Sequence, residues 1–257
     1  MTRRRLDDEL VARGLAAGLA EAGELIDSRS VRIDGAPGLK PGTLITGTSN
    51  ITLDERRVFA SRGGVKLQGA LDDLGLDVTG MRCLDAGAGS GGFTDCLLQA
   101  GAASVLAVDV GYGQFDWRLR NDPRVKLLER TNLRSVPREE GPFDLVVADL
   151  SFVSLRSVAR TIFELAEPEA VCVLLVKPQF EAQPEEIGPR GIVTDPAVWE
   201  RTVTSVVTAL EQAGLGTVAV CASRLKGATG NQEFFAMALP GTPSTPDVVA
   251  SAVGALR

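Results

Sequence analysis

The chain has 257 residues, of which 44% are hydrophobic, and its 27 Lys and Arg against 33 Asp and Glu leave a formal net charge of −6. That apolar share suffices for a globular core and excludes a disordered chain, while the acidic balance excludes a general nucleic-acid binder working through bulk positive charge. Histidine is absent, which removes the usual general base near neutral pH, any Ser-His or Cys-His nucleophile pair and the commonest metal ligand, so no metal is expected.

Cys83, Cys96, Cys172 and Cys221 are widely spaced, form no Cys-x-x-Cys pair and fall mostly in apolar runs. They read as reduced core thiols of a cytoplasmic protein. The basic start, Thr2-Arg3-Arg4-Arg5, has no apolar stretch behind it and is no signal peptide. No stretch approaches the ~20 apolar residues of a membrane span, so no membrane partner is expected.

Residues 1–60 read as a separate small α+β unit. Leu6–Leu15 and Leu19–Ile26 carry apolar residues at helical spacing. Val31-Arg32-Ile33-Asp34-Gly35 alternates into an Asp-Gly turn, and Lys40-Pro41-Gly42 and Asn50-Ile51-Thr52-Leu53 mark further short strands and turns. Residues 54–60 suit a linker. Lysine and arginine number nine before residue 60, equal to the acids there, so RNA binding must rest on local patches.

From Ser61 onward strands and helices alternate. A helix is predicted near 64–75, strands near 82–86, 104–109, 125–128, 144–149, 170–177, 217–222 and 233–239, and a long helix over 196–213 capped by Asp195. The pattern is α/β, a doubly wound parallel sheet, whose last two strands could form a hairpin. Two of the apolar runs end on charge: Phe143–Ala148 runs into Asp149, and Ala170–Val176 into Lys177. Runs of this kind are strands buried on both faces, and ligands sit outside the carboxyl ends of such strands. Asp149 and Lys177 are thereby aimed at a binding crevice.

The first sheet strand leads into Leu84-Asp85-Ala86-Gly87-Ala88-Gly89-Ser90-Gly91-Gly92-Phe93-Thr94. Such a loop lets backbone approach a ligand closely and ends on a helix N-terminus. Gly87, Gly89 and Gly92 also satisfy a dinucleotide fingerprint, with Asp109 as the ribose acid about 20 residues further on. Asp85 favours S-adenosylmethionine over a nicotinamide cofactor, because a carboxylate there suits an ammonium and a sulfonium better than a pyrophosphate. Asn132 could bond the adenine or cap a loop, and Tyr112, Phe115 and Trp117 could stack on adenine or RNA bases or pack in the core. Lys66, just before the first sheet strand, and Glu233, entering the last, complete a Lys-Asp-Lys-Glu set with Asp149 and Lys177.

Through motifs that include these residues the chain resembles a known family. Ser61-Arg62-Gly63-Gly64, Asp109-Val110-Gly111-Tyr112-Gly113-Gln114, Ala148-Asp149-Leu150-Ser151-Phe152, Lys177-Pro178-Gln179-Phe180-Glu181, Gly191-Ile192-Val193-Thr194-Asp195-Pro196 and Gly230-Asn231-Gln232-Glu233-Phe234 look like the TlyA family. These are rRNA 2′-O-methyltransferases, historically also labelled haemolysins, and the resemblance covers nearly the whole chain.

The resemblance implies a small S4-like RNA-binding domain over 1–60 and an FtsJ (RrmJ)-type methyltransferase domain over 61–257, with a Rossmann-like class I methyltransferase sheet. It implies methyl transfer from S-adenosylmethionine to the 2′-hydroxyl of a cytidine in ribosomal RNA, large-subunit and in some members also small-subunit, within ribosomal subunits. A monomer is the expected state. By position Lys66, Asp149, Lys177 and Glu233 match the family's catalytic tetrad. A ribose hydroxyl must lose its proton as the methyl arrives in line, and Lys177 is the candidate base, which requires burial and a second cation such as Lys66 to lower its basicity. Lys66 would also stabilise the developing alkoxide, and the two acids would position the lysines. The cofactor set is Asp85, Gly87, Gly89, Gly91, Gly92, Phe93, Asp109 and Asn132.

Candidate RNA phosphate contacts are Arg3, Arg4, Arg5, Arg29, Arg32 and Lys40. The small unit departs from its family pattern at Gly18-Leu19, where relatives show Ser-Arg, and at Ser30, where a glycine is usual. Two other readings use the same residues: an rRNA-binding assembly factor with little or no catalytic activity, which would not need the four charged residues at strand ends, and a membrane-lytic protein, which would need an apolar or basic amphipathic segment that is not evident.

Overall fold

The computed structural model describes residues 3–16, 18–27, 30–38, 40–53 and 59–256. Arg29 and residues 54–58 of the expected linker lie outside them. The chain divides into two units, Met1–Val58 and Phe59–Arg257. The boundary falls two residues before the expected one because Phe59 is buried in the core of the second unit and the Ala60 N–H donates to Asp95 Oδ2 at 2.7 Å.

In the first unit β1 (Arg3–Arg5) leads directly into α1 (Leu6–Ala12), followed by α2 (Leu19–Asp27), β2 (Val31–Ile33), β3 (Ala36–Pro37), β4 (Leu44–Thr46) and β5 (Ile51–Leu53). β1 pairs with β4, and β2 lies between β3 and β5. The apolar faces of the two helices close on Val31, Ile45 and Ile51 through Leu6, Leu10, Ala22 and Ile26. This small core leaves most polar side chains on the surface.

The second unit opens with α3 (Arg62–Leu74), whose N-cap Ser61 accepts from the Gly63 N–H, and then alternates: β6 (Arg82–Ala86), α4 (Gly92–Gln99), β7 (Ser104–Val108), α5 (Trp117–Arg120), β8 (Val125–Leu128), β9 (Phe143–Ala148), α6 (Ala159–Leu165), β10 (Ala166–Val176), α7 (Pro178–Glu181), α8 (Pro196–Gln212), β11 (Leu215–Ala222), β12 (Phe234–Pro240) and α9 (Val248–Gly254). Asp195 caps α8, accepting from the Ala197 N–H, and Pro196 fills the first helical position, where its missing N–H costs nothing.

The sheet order is β11-β12-β10-β9-β6-β7-β8, with β12 antiparallel to both its neighbours and the strands from β10 to β8 parallel. Alternate strand residues face opposite layers. Leu84, Ala86, Val146, Ala148, Leu174 and Val176 pack with α6, α8 and α9, whereas Cys83, Val105, Leu145, Val147, Val173 and Leu175 pack with α3 and α4. Burial on both faces accounts for the unbroken apolar runs. β6 is followed in sequence by β7 on one side and flanked by β9 on the other, and at such a reversal the outgoing loops part to leave a crevice.

Candidate active site

The crevice lies where β6, β7 and β9 end. Gly87 and Ala88 both donate their N–H to the Val108 carbonyl, and the Asp149 N–H donates to the Ala86 carbonyl at 2.9 Å, so the loops leave three adjacent strands in fixed register. A cleft of about 490 Å³ opens there, walled by the glycine loop, by Asp109 and Asn132, and by Asp149 to Val153. Gly87 has φ +86°, and a Cβ on it would meet the Asp149 carbonyl oxygen at 2.6 Å. Only glycine allows this turn and this approach together.

Of the expected cofactor residues, Gly87, Gly89, Gly92, Phe93, Asp109 and Asn132 line the cleft. Gly91, at φ +91°, is instead the N-cap of α4, tucked against Leu119 and Phe115. Asp109 accepts from the Gly89 N–H at 2.7 Å and the Gly111 N–H at 2.6 Å, which fixes its carboxylate at the cleft wall. Asn132 Oδ1 caps the next turn by accepting from the Arg134 N–H, and the residue lines the cleft.

Asp85 is fully buried and does not line the cleft. Thr94, whose importance the sequence did not reveal, donates to its Oδ2 at 2.6 Å, while Oδ1 has no hydrogen-bond partner. Burial pushes its carboxyl up to about 7, against the Thr94 bond that lowers it and with Asp149 and Asp109 adding to the rise. An orphaned acid beside a glycine cradle is suited to a ligand that brings positive charge. The cleft volume lies in the range of small-molecule sites.

The four charged residues form two ion pairs. Lys66, in α3, donates to Glu233 Oε2 at 2.6 Å with both side chains nearly buried, and Lys177 Nζ lies 2.5 Å from Asp149 Oδ1. Lys177 also donates to Ser151 Oγ at 3.2 Å and sits 5.6 Å from the centre of the Phe180 ring. Gln179, two residues after Lys177, donates from Nε2 to Glu233 Oε1 at 3.3 Å, so one short segment touches both pairs. Nothing in the spacing of the sequence could show Lys66 and Glu233, 167 residues apart, as partners. Ser151 and Gln179 were visible only as members of motifs.

The aromatic residues after Asp109 separate. Phe115 is buried, whereas Tyr112 is exposed beneath the Arg130 guanidinium at 4.2 Å and Trp117 is exposed. In the first unit Arg5 pairs with Asp7 at 2.6 Å and Arg4 with Glu9 at 3.4 Å, so both are engaged within their own unit. Arg3 and Lys40 are exposed, and Arg32 is partly buried. Among the described residues no group of His, Cys, Asp or Glu could hold a metal ion, and no helix is long and apolar enough to cross a membrane.

Residues 59–238 match the model of the FtsJ-like methyltransferase family. A Mycobacterium tuberculosis protein named 16S/23S rRNA (cytidine-2′-O)-methyltransferase TlyA is 50% identical over 91% of this chain and 88% of its own length. Hemolysin A of Brachyspira hyodysenteriae is 35% identical over 90% of this chain and 98% of its own. A solved Streptococcus thermophilus structure, described as a candidate hemolysin, superposes with a TM-score of 0.73 at 33% identity, covering 100% of this chain and 98% of that one. The glycine cradle, the reversal of strand order and the paired lysines and acids thus occur in a chain that belongs to the TlyA family of FtsJ-like methyltransferases.

Proposed function

We propose that the protein methylates the ribose 2′-hydroxyl of a cytidine in ribosomal RNA, with S-adenosylmethionine as methyl donor, acting on 23S rRNA, with 16S rRNA as a further candidate substrate, within ribosomal subunits in the cytoplasm. The observation that carries this is the pair of ion pairs: Lys177 with Asp149, which walls the glycine cleft, and Lys66 with Glu233, linked to the same segment through Gln179. The name of the Mycobacterium tuberculosis relative supports the choice of substrate.

S-adenosylmethionine, when bound, supplies a methyl group on a positively charged sulfur. Gly87, Gly89 and Gly92 would give it room against the backbone, Asp109 would accept from ribose hydroxyls, and the buried Asp85 would supply negative potential behind the loop. Lys177, seated between Asp149 and Ser151, would first release its ammonium proton to solvent and, as the free amine, take the proton of the 2′-hydroxyl. Lys66, held by Glu233, stabilises the oxygen as charge develops on it. Holding both pairs in fixed positions would help to orient the two substrates, and orientation of this kind supplies much of the acceleration in two-substrate reactions. The first unit is read as an S4-like domain whose exposed Arg3 and Lys40 meet RNA phosphates.

The test is incubation of the purified protein with methyl-labelled S-adenosylmethionine and with isolated ribosomal subunits, followed by mapping of 2′-O-methyl groups. Label on a cytidine ribose is the expected result. Label on a base nitrogen, or none on either subunit, overturns the proposal.

A further inference from the structure

Among the buried acids that the mechanism leaves unused, one is bound to the loop that walls the cleft. Glu181, the last residue of α7, is 2% exposed at its side chain, and its carboxylate is filled by three donors from one short segment. Oε1 accepts from the Leu155 N–H at 2.8 Å, and Oε2 from Ser154 Oγ at 2.6 Å and Arg156 Nε at 2.9 Å. That segment ends the loop that begins at Asp149 and walls the cleft through Leu150, Ser151 and Phe152.

The other end of the same loop is held by the other end of α7. Lys177, the N-cap residue of the helix, grips Asp149 and Ser151, and between the two ends Phe180 packs on Phe152 with ring centres 5.2 Å apart. The loop is therefore fastened to a single helical turn at its start, middle and finish. A buried carboxylate with all its bonding capacity on one neighbour is stiff, because any displacement strands charge and donors without partners.

We infer that Glu181 is a positioning residue for methyl transfer: by fixing 154–156 it holds Asp149 and Ser151 in register with Lys177. The inference rests on the proposed role of the Lys177–Asp149 pair. Glu181 touches neither that pair nor the cleft, so its effect passes through the loop.

The experiment compares the full chain with Glu181→Ala, Glu181→Gln and Lys177→Ala, measuring kcat and KM with ribosomal subunits and, by calorimetry, S-adenosylmethionine affinity, all well below the melting temperature. Glu181→Ala is expected to lower kcat by about 10²-fold, the scale of a misplaced reacting group, with KM for the subunits within about threefold of wild type. Glu181→Gln keeps an acceptor for the Leu155 N–H and is expected to recover to within about tenfold of wild-type kcat. A folded Glu181→Ala protein whose kcat is unchanged, while Lys177→Ala shows its expected loss, overturns the inference. Wild-type turnover by Lys177→Ala overturns the active-site reading and the inference with it. Should Glu181→Ala not fold, Glu181→Gln decides alone: a fall in kcat with KM unmoved supports positioning, and a parallel loss of cofactor affinity and kcat refutes it.

Discussion

At the end of β10, Lys177 Nζ is shared among Asp149, Ser151 and the face of Phe180. Replacing it by alanine removes the proposed base without removing a residue that lines the cofactor cleft. The expected outcome is a fall in kcat of about 10³-fold, within the span of general-base effects, with S-adenosylmethionine affinity unchanged by calorimetry. Asp85 gives a residue-scale prediction of opposite kind. Its carboxyl is raised from 3.8 to about 7 by burial, so the unfolded chain ionises it first and the fold loses stability as pH climbs from about 4 to about 7. Asp85→Asn removes that penalty, worth up to roughly 4 kcal/mol. In thermal melts the variant should therefore gain on the wild type across that window and stay ahead above it, while binding S-adenosylmethionine more weakly. Equal pH dependence of the two melting curves would exclude an acid buried in this way.

At the scale of elements, the glycine loop is where the path of one strand constrains another. Gly87→Ala must place a methyl 2.6 Å from the Asp149 carbonyl oxygen at a positive φ, so β6 and β9 have to part. A loss of about 2–4 kcal/mol, combining backbone strain and overpacking, is expected in chemical denaturation, together with lost cofactor binding. Unchanged stability would mean that the two strand ends move apart freely. The elements themselves were largely legible: strands buried on both faces write unbroken apolar runs, and Asp195-Pro196 announces the start of α8. The position of β12 was not. Its residues read as a strand and a hairpin partner of β11, but its insertion between β11 and β10 is a matter of pairing, and a period-two pattern carries no address for the neighbour. The clamp between α7 and the loop at 154–156 was hidden for the same reason, because Glu181 closes a motif that does not say what its carboxylate bonds.

Across the whole molecule the charge is negative, so the proposed RNA contact rests on particular cations of the first unit. Arg4 and Arg5 are already engaged by Glu9 and Asp7, which leaves Arg3 and Lys40 as the exposed pair to test. The double variant Arg3→Gln, Lys40→Gln should reduce the salt dependence of subunit binding by about 1.5–2 in log–log slope, close to one phosphate per residue, and raise KM without changing kcat. A slope equal to wild type would place the RNA elsewhere. The order of residues alone was enough to specify the alternating α/β pattern, the glycine turn and the two charges at the strand ends, because each is a local property of periodicity or backbone freedom. Which charges are partners, Lys66 with Glu233 and Lys177 with Asp149, and how Asp85 comes to be buried with an unpaired oxygen, were decided by folding, since ion pairing and desolvation depend on distances between segments that the linear chain does not encode.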